Sequence, residues 1–241
     1  MNNIYVLWWQ GIQNAPDIIK ICYKSLLQNH DQNSQRIHLI DSTNFNKYVN
    51  IPEYILKKYE EGLITLTHLS DFIRCVLLYE NGGLWIDASV LLTKAIDEKI
   101  FEKDLFIMKN PKALEKDITS KWEPFLIGGK KESKFFKLFI DFFLEYWKKE
   151  DELITYLLIE HIFYIAYKEN NKFRKILDEA KSFYYPIDYF QKILNEEYDQ
   201  EKFQEICLKE DFLKLTYKSE FEIQKREKLT YYGKLKEIYN V

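Results

Sequence analysis

The stretch Leu69–Val90, LSDFIRCVLLYENGGLWIDASV, constrains the possible folds more than any other part of the chain. Leu66, Leu69, Phe72, Ile73, Val76 and Leu77 recur at three- and four-residue spacing, which predicts a helix with one apolar stripe. Asp71 and Arg74 are neighbours on the surface of such a helix and can pair. Gly82-Gly83 stops it, because glycine takes the left-handed backbone at little steric cost. Leu84-Trp85-Ile86 then reads as a short buried strand that delivers Asp87 at its carboxyl end, with Ser89 just beyond. In open α/β sheets ligands bind outside the carboxyl ends of strands, so Asp87 emerges where a ligand should sit.

The rest of the first half repeats this alternation. A strand is predicted over 4–8, a helix over 17–28, a strand over 36–40 and a helical stretch near 53–60. Further strands are expected at 104–108 and 122–127, joined by a polar, lysine-rich loop. From residue 132 the character changes to helix after helix, over 132–149, 151–169, 171–182 and 186–206. A last strand is expected at 212–217, ahead of a charged tail. The pattern predicts an α/β fold, a mixed sheet flanked by helices, with a mostly helical C-terminal half. No internal repeat or low-complexity linker divides it.

Bulk properties narrow the class. With 241 residues, 46% hydrophobic and 17% aromatic, the chain can bury one substantial core. A formal charge of −3 gives no electrostatic case for nucleic acid. Cys22, Cys75 and Cys207 are odd in number, far apart and set among apolar helical residues, so they read as reduced core thiols. The strand at 4–8 begins almost at the initiator Met and leaves no room for a signal peptide. The Phe-rich run 135–147 is broken by Lys137, Asp141 and Glu145, too short and too charged to span a membrane. Together these features predict a soluble, cytoplasmic protein.

Taken singly, Asp71, Arg74 and Asp87 also read as a surface ion pair and an ordinary loop aspartate. Taken together, in this order, they suit a site for a phosphorylated, hydroxyl-rich ligand. Ser70-Asp71-Phe72-Ile73-Arg74 and Leu78-Tyr79-Glu80-Asn81-Gly82-Gly83-Leu84-Trp85-Ile86-Asp87-Ala88-Ser89 resemble the sugar-binding region of DxD glycosyltransferases, family 32-like and of the GT-A fold. Leu7-Trp8-Trp9-Gln10-Gly11, Asn14-Ala15-Pro16 and Ile51-Pro52-Glu53-Tyr54-Ile55 resemble the bacterial capsular polysaccharide synthesis subgroup. Lys214-Leu215-Thr216-Tyr217-Lys218 is similar to a segment near the end of that subgroup. The likeness is close over 4–130 and looser beyond.

This resemblance implies a single GT-A-like, Rossmann-type domain over 1–241. Residues 1–130 would form the nucleotide-sugar-binding half and 131–241 a helical, acceptor-side half. The implied reaction transfers a sugar from a nucleotide-sugar donor, first among them a UDP-sugar, to a growing lipid-linked surface glycan, with retention of configuration. Asp71, Arg74 and Asp87 become the implied catalytic residues, with Asp71 on ribose or sugar hydroxyls. Trp8, Trp9, Gln10, Gly11, Gly83, Ser89, Lys214 and Lys218 become donor-binding positions, Glu160 and His161 acceptor-side ones. The motif binds a divalent cation, Mn²⁺ or Mg²⁺, through hard carboxylate oxygens, which makes Asp87 and Ser89 the metal positions. Serine offers only a neutral hydroxyl, so the ion is held weakly, hydrated, completed by another carboxylate, or absent. The cationic, tyrosine-bearing tail would touch an anionic membrane or simply face solvent.

Bland readings stand beside these. Trp8 and Trp9 also suit core packing, Lys214 and Lys218 a solvated strand end, and His161 an apolar helix face with Leu153, Ile154, Leu157, Leu158, Ile162 and Ile165. Two other functions remain open, a sugar-nucleotide-binding protein that has lost transfer and a two-carboxylate glycoside hydrolase.

Overall fold

Alternating burial along the first strand divides the interior into two cores. The computed structural model describes residues 1–112 and 121–241. In β1 (Asn2–Leu7), Ile4 and Val6 face one core and Tyr5 the other. The first core is covered by α1 (Asp17–Asn29), which leads to β2 (Gln35–Ile40). The second is covered by α3 (Leu66–Asn81), which follows α2 (Glu53–Glu60) and turns through Gly82 into β3 (Gly83–Ile86). β4 (Val90–Leu92), β5 (Phe106–Lys109) and β6 (Trp122–Gly129) complete the first half.

Five of these strands form one mixed sheet in the order β2-β1-β3-β6-β5. β1 runs parallel to β2 and β3, whereas β6 is antiparallel to β3 and β5. The expected mixed sheet flanked by helices is therefore observed. On the second core, α4 (Lys134–Lys149) packs Phe136, Phe139, Phe143 and Trp147 against α3, joined by α5 (Leu158–Glu169) and α6 (Asn171–Asp178). α7 (Tyr189–Ile193), α8 (Gln200–Lys209), β7 (Phe212–Lys214), the hairpin β8 (Gln224–Lys225) and β9 (Lys228–Leu229), and α9 (Tyr231–Tyr239) follow. No helix among the described residues is long and apolar enough to cross a membrane. Cys22 and Cys75 are buried free thiols, and Cys207 is half-buried.

Several expected elements end early, each for a local reason. Residues 151–157 do not extend α5, because side chains take their backbone groups. Tyr146 Oη donates to Glu152 O at 2.7 Å and accepts from Ile154 N at 3.1 Å, while His68 Nε2 lies 3.1 Å from Tyr156 O. The helix expected over 171–182 stops at Asp178, freeing Lys181 O and Phe183 N to bond Lys109 of β5. The one expected over 186–206 splits because residues 195–198 are held by the C-terminal segment. Asn195 Nδ2 donates to Glu220 O at 3.0 Å and Tyr198 N to Leu229 O at 2.8 Å, before Asp199 caps a new helix. The strand expected over 212–217 ends at Lys214. The tail is not a solvated extension: Tyr231, Tyr232, Leu235 and Tyr239 of α9 are buried against the first core. The lysine-rich loop expected between β5 and β6 lies largely outside the described residues.

Gly83 is required where α3 hands over to β3. Its φ is +119°, and a Cβ there would lie 2.3 Å from the Asn3 carbonyl oxygen of β1. Gly62 also has positive φ, +78°, but open space around it. Gly83→Ala should therefore cost roughly 3 kcal/mol or more, or prevent folding, whereas Gly62→Ala should cost about 1 kcal/mol. Urea unfolding midpoints check the pair, and equal losses would contradict the close β1–β3 packing.

Candidate active site

β1 and β3 are parallel neighbours whose connections leave to opposite sides, so their carboxyl ends part at a topological switch point. A cleft of about 460 Å³ opens there. Leu7, Trp8, Trp9 and Gln10 form one wall and Trp85, Asp87, Ala88 and Ser89 the other. Thr67, Ser70 and Arg74 reach in from α3, and residues 214–218 from the end of β7. Tyr156 completes the lining, placed by the contact between its carbonyl and the buried His68 ring.

A chain of charges runs through the floor. The Arg74 guanidinium lies 3.1 Å from Asp71 Oδ1 and 3.4 Å from Asp87 Oδ1. Its Nη1 donates to Pro124 O at 2.7 Å, and the Trp85 ring lies 5.0 Å beneath it. Trp85 Nε1 donates to Asp87 Oδ1 at 2.9 Å, and Lys214 Nζ donates to Asp87 Oδ2 at 2.8 Å. Lys214 arrives from far along the sequence because β7 pairs antiparallel with β4, setting Lys214 opposite Val90. Leu215 N donates to Ser89 O at 2.8 Å and prolongs that pairing to the cleft.

Burial and charge set the protonation states. Burial pushes the Asp71 carboxyl up to about 7, with Arg74 opposing and the charges of Glu160 and Asp87 adding. At Asp87 burial also acts upward, but Lys214 and Arg74 outweigh it and hold the carboxyl below its ordinary range. Burial disfavours the Arg74 charge, yet Asp71 and Asp87 more than restore it. Removing one member of so buried a set leaves an uncompensated charge, at a cost of roughly 3–5 kcal/mol.

The expected residues divide into two groups. Trp8, Trp9, Gln10, Arg74, Asp87, Ser89, Lys214 and Lys218 all line the cleft. Trp8 packs edge-on against Tyr217 at 5.1 Å, and its buried Nε1 has no hydrogen-bond partner among the described residues. Trp9 lines the cleft and also packs on Phe45 and Tyr59. Asp71 lies outside the lining, paired with Arg74 on the same helix. Gly11 makes the turn after Trp8 at φ +80°, and Gly83 lies at the opposite end of β3 from Asp87. Glu160 and His161 are outside the lining too. The buried face of α5 is Leu158, Ile159, Ile162, Phe163 and Ala166, whereas His161 is half-exposed and bonds Leu157 O at 2.7 Å.

One titratable group was not singled out from the sequence. Glu123 of β6 precedes the Pro124 carbonyl that holds Arg74. Burial pushes its carboxyl up to about 7, with the Asn110 bond opposing and the Glu160 charge adding. Within Trp-Glu-Pro-Phe, the proline is the available signal, because a strand proline marks a place where the ladder needs no donor. As for the metal positions, Asp87 already meets two cations and Ser89 offers a hydroxyl. Among the described residues no group of three or more His, Cys, Asp or Glu is disposed to hold an ion. A dication brought within about 4 Å of an ammonium at an effective dielectric of about 20 is repelled by about 8 kcal/mol.

Glu123 gives a pH-dependent prediction. Its raised carboxyl is largely neutral in the fold at about pH 5 and ionised at about pH 8, so its contribution to stability is lost as pH rises through about 7. Glu123→Gln should therefore gain about 2 kcal/mol on wild type between those pH values, roughly 4–8 °C in Tm. An equal Tm difference at both pH values would contradict the burial of this carboxyl.

The sequence model of the family described as "Capsular polysaccharide synthesis protein" matches residues 1–235. Among solved structures, the chain is similar to the apo-form glycosyltransferase GlyE of Streptococcus pneumoniae TIGR4. They share 12% identity with a TM-score of 0.48, over 100% of this chain and 60% of that one. A second GlyE structure gives the same values. The PaToxG glycosyltransferase shares 16% identity with a TM-score of 0.46, over 85% of this chain and 83% of that one. The chain thus spans 60% of the length of the GlyE structures it matches. None of the curated proteins compared matches it. On a family match that runs over nearly its whole length, the chain belongs to the capsular polysaccharide synthesis protein family.

Proposed function

We propose that this protein is a glycosyltransferase that moves a sugar from a nucleotide-sugar donor, a UDP-sugar, to a growing lipid-linked surface glycan at the cytoplasmic face of the membrane. The observation that carries the reading is the charge of the cleft. Among the described residues, Arg74, Lys214 and Lys218 line it against one carboxylate, Asp87, in a chain whose net charge is −3. Positive charge focused at parallel strand ends suits an anionic ligand such as a diphosphate. The aromatic walls of Trp8, Trp9 and Tyr217 suit a nucleobase and a sugar face. Membership of a capsular polysaccharide synthesis family supports a glycan product. A two-carboxylate hydrolase would need a second acid facing the bond, and Asp71 is not among the residues that line the cleft.

In this reading Lys214 and Lys218 meet the diphosphate, and Trp8 or Trp9 stacks on the nucleobase. Ser70, Ser89 and Thr216 present hydroxyls to the ribose and sugar. The helical half, 131–241, carries the acceptor, with Glu160 and His161 on that side. Transfer breaks the bond between the anomeric carbon and the β-phosphate oxygen, leaving the electron pair on that oxygen. The acceptor hydroxyl oxygen bonds to the anomeric carbon from the same face, giving retention, and its proton passes to the departing diphosphate. Preorganised cations lower the barrier because they meet charge as it develops.

Two measurements test this. UDP should bind at least about tenfold more tightly than uridine by calorimetry, because the lysines read the diphosphate. Asp87→Asn, which keeps the side-chain shape but releases Lys214, should slow hydrolysis or transfer of the preferred UDP-sugar by roughly 100-fold or more. An unchanged rate, or equal binding of UDP and uridine, would sink the proposal.

A further inference from the structure

Asp87 is the one carboxylate lining the cleft among the described residues, and both of its oxygens are engaged. Oδ2 accepts from Lys214 at 2.8 Å, while Oδ1 accepts from Trp85 Nε1 at 2.9 Å and faces Arg74 at 3.4 Å. Ser89 stands where a second carboxylate would complete an oxygen cage, and β7 fixes its backbone through Leu215. Divalent cations of the Mg²⁺ and Ca²⁺ kind bind sets of oxygens that include carboxylates. To reach Asp87, such an ion would have to displace the Lys214 ammonium.

Lys214 is built to stay. Its strand pairs with β4, and its Nζ lies between the Asp87 carboxylate and the Phe125 ring, 4.6 Å from the ring centroid. Among the described residues it forms no ion pair other than that with Asp87. The cation at Asp87 is thus part of the chain.

Resting on the sugar-nucleotide reading above, we propose that the protein binds its donor and transfers the sugar without a divalent cation, the Lys214 ammonium standing at Asp87 where the Asp-x-Asp pattern places a metal ion. In the transfer step the bond from the anomeric carbon to the β-phosphate oxygen breaks with its electron pair on that oxygen. Lys214 neutralises the charge that grows there. The acceptor oxygen takes the place of the leaving group on carbon, and its proton goes to the departing phosphate. The step needs no co-reactant beyond donor and acceptor.

Calorimetry of UDP binding to the full chain, in EDTA and again with Mn²⁺ or Mg²⁺ in excess, tests the inference. The Kd in EDTA should stay within about threefold of that with metal. Lys214→Gln should weaken UDP binding in EDTA roughly tenfold or more, whereas Lys214→Arg, which keeps the charge, should hold most of it. Binding that appears only with Mn²⁺ or Mg²⁺ overturns this inference while leaving the sugar-nucleotide reading intact. Wild-type affinity in Lys214→Gln under EDTA overturns it as well. Failure of UDP to bind with or without metal overturns the sugar-nucleotide reading, and this inference with it.

Discussion

A guanidinium in the protein interior is the constraint on which the rest of the site depends. Arg74 is almost fully buried on α3, so its charge must be compensated on the spot. Asp71 does this from the same helix, Asp87 from the end of β3, and the Pro124 carbonyl from β6. One side chain thereby ties together a helix and two neighbouring strands at the place where the sheet changes direction. The same demand passes outward, because Asp87 shared with Arg74 still attracts Lys214 from β7. A buried ion pair would be a weak device for stability alone. As a device for fixing one carboxylate and one ammonium at the mouth of a cleft, it is well suited.

The sequence made the first half of this chain legible. Periodicity placed α3, Gly82-Gly83 its end, and Leu84-Trp85-Ile86 the strand that carries Asp87, and the structure agrees at each point. The Asp71–Arg74 pairing followed from helical spacing alone. What could not be read was how far the pair lies from solvent. That is a tertiary property, set by Trp85 beneath the guanidinium and by β6 beside it. It leaves Asp71 paired with Arg74 and outside the lining of the cleft.

The second half was less legible, for a different physical reason. Beyond α4 and α5 its helices have 10 residues or fewer, and many ends are set by long-range contacts. Tyr146 and His68 hold residues 152–156 out of α5, and Leu229 and Glu220 hold 195–198 out of α8. Nothing local in those segments announces these bonds. The approach of Lys214 to Asp87 is of the same kind. It comes from the β4–β7 register, and β4 is a three-residue strand too short to give a period of its own.

The central claim is that Asp71, Arg74, Asp87 and Lys214 act as one charge-compensated unit rather than as separate polar residues. A double-mutant cycle on Asp71→Asn and Arg74→Gln, read by urea unfolding, tests it most directly. Asp71→Asn leaves Arg74 with only Asp87 opposing its charge and Arg74→Gln leaves the Asp71 carboxyl buried without its partner, whereas the double variant removes both and leaves Asp87 with Lys214. The account predicts that the double variant loses less stability than the sum of the two single ones, by about 1.5 kcal/mol or more. Additive losses would show that the two side chains are not coupled, and would contradict it.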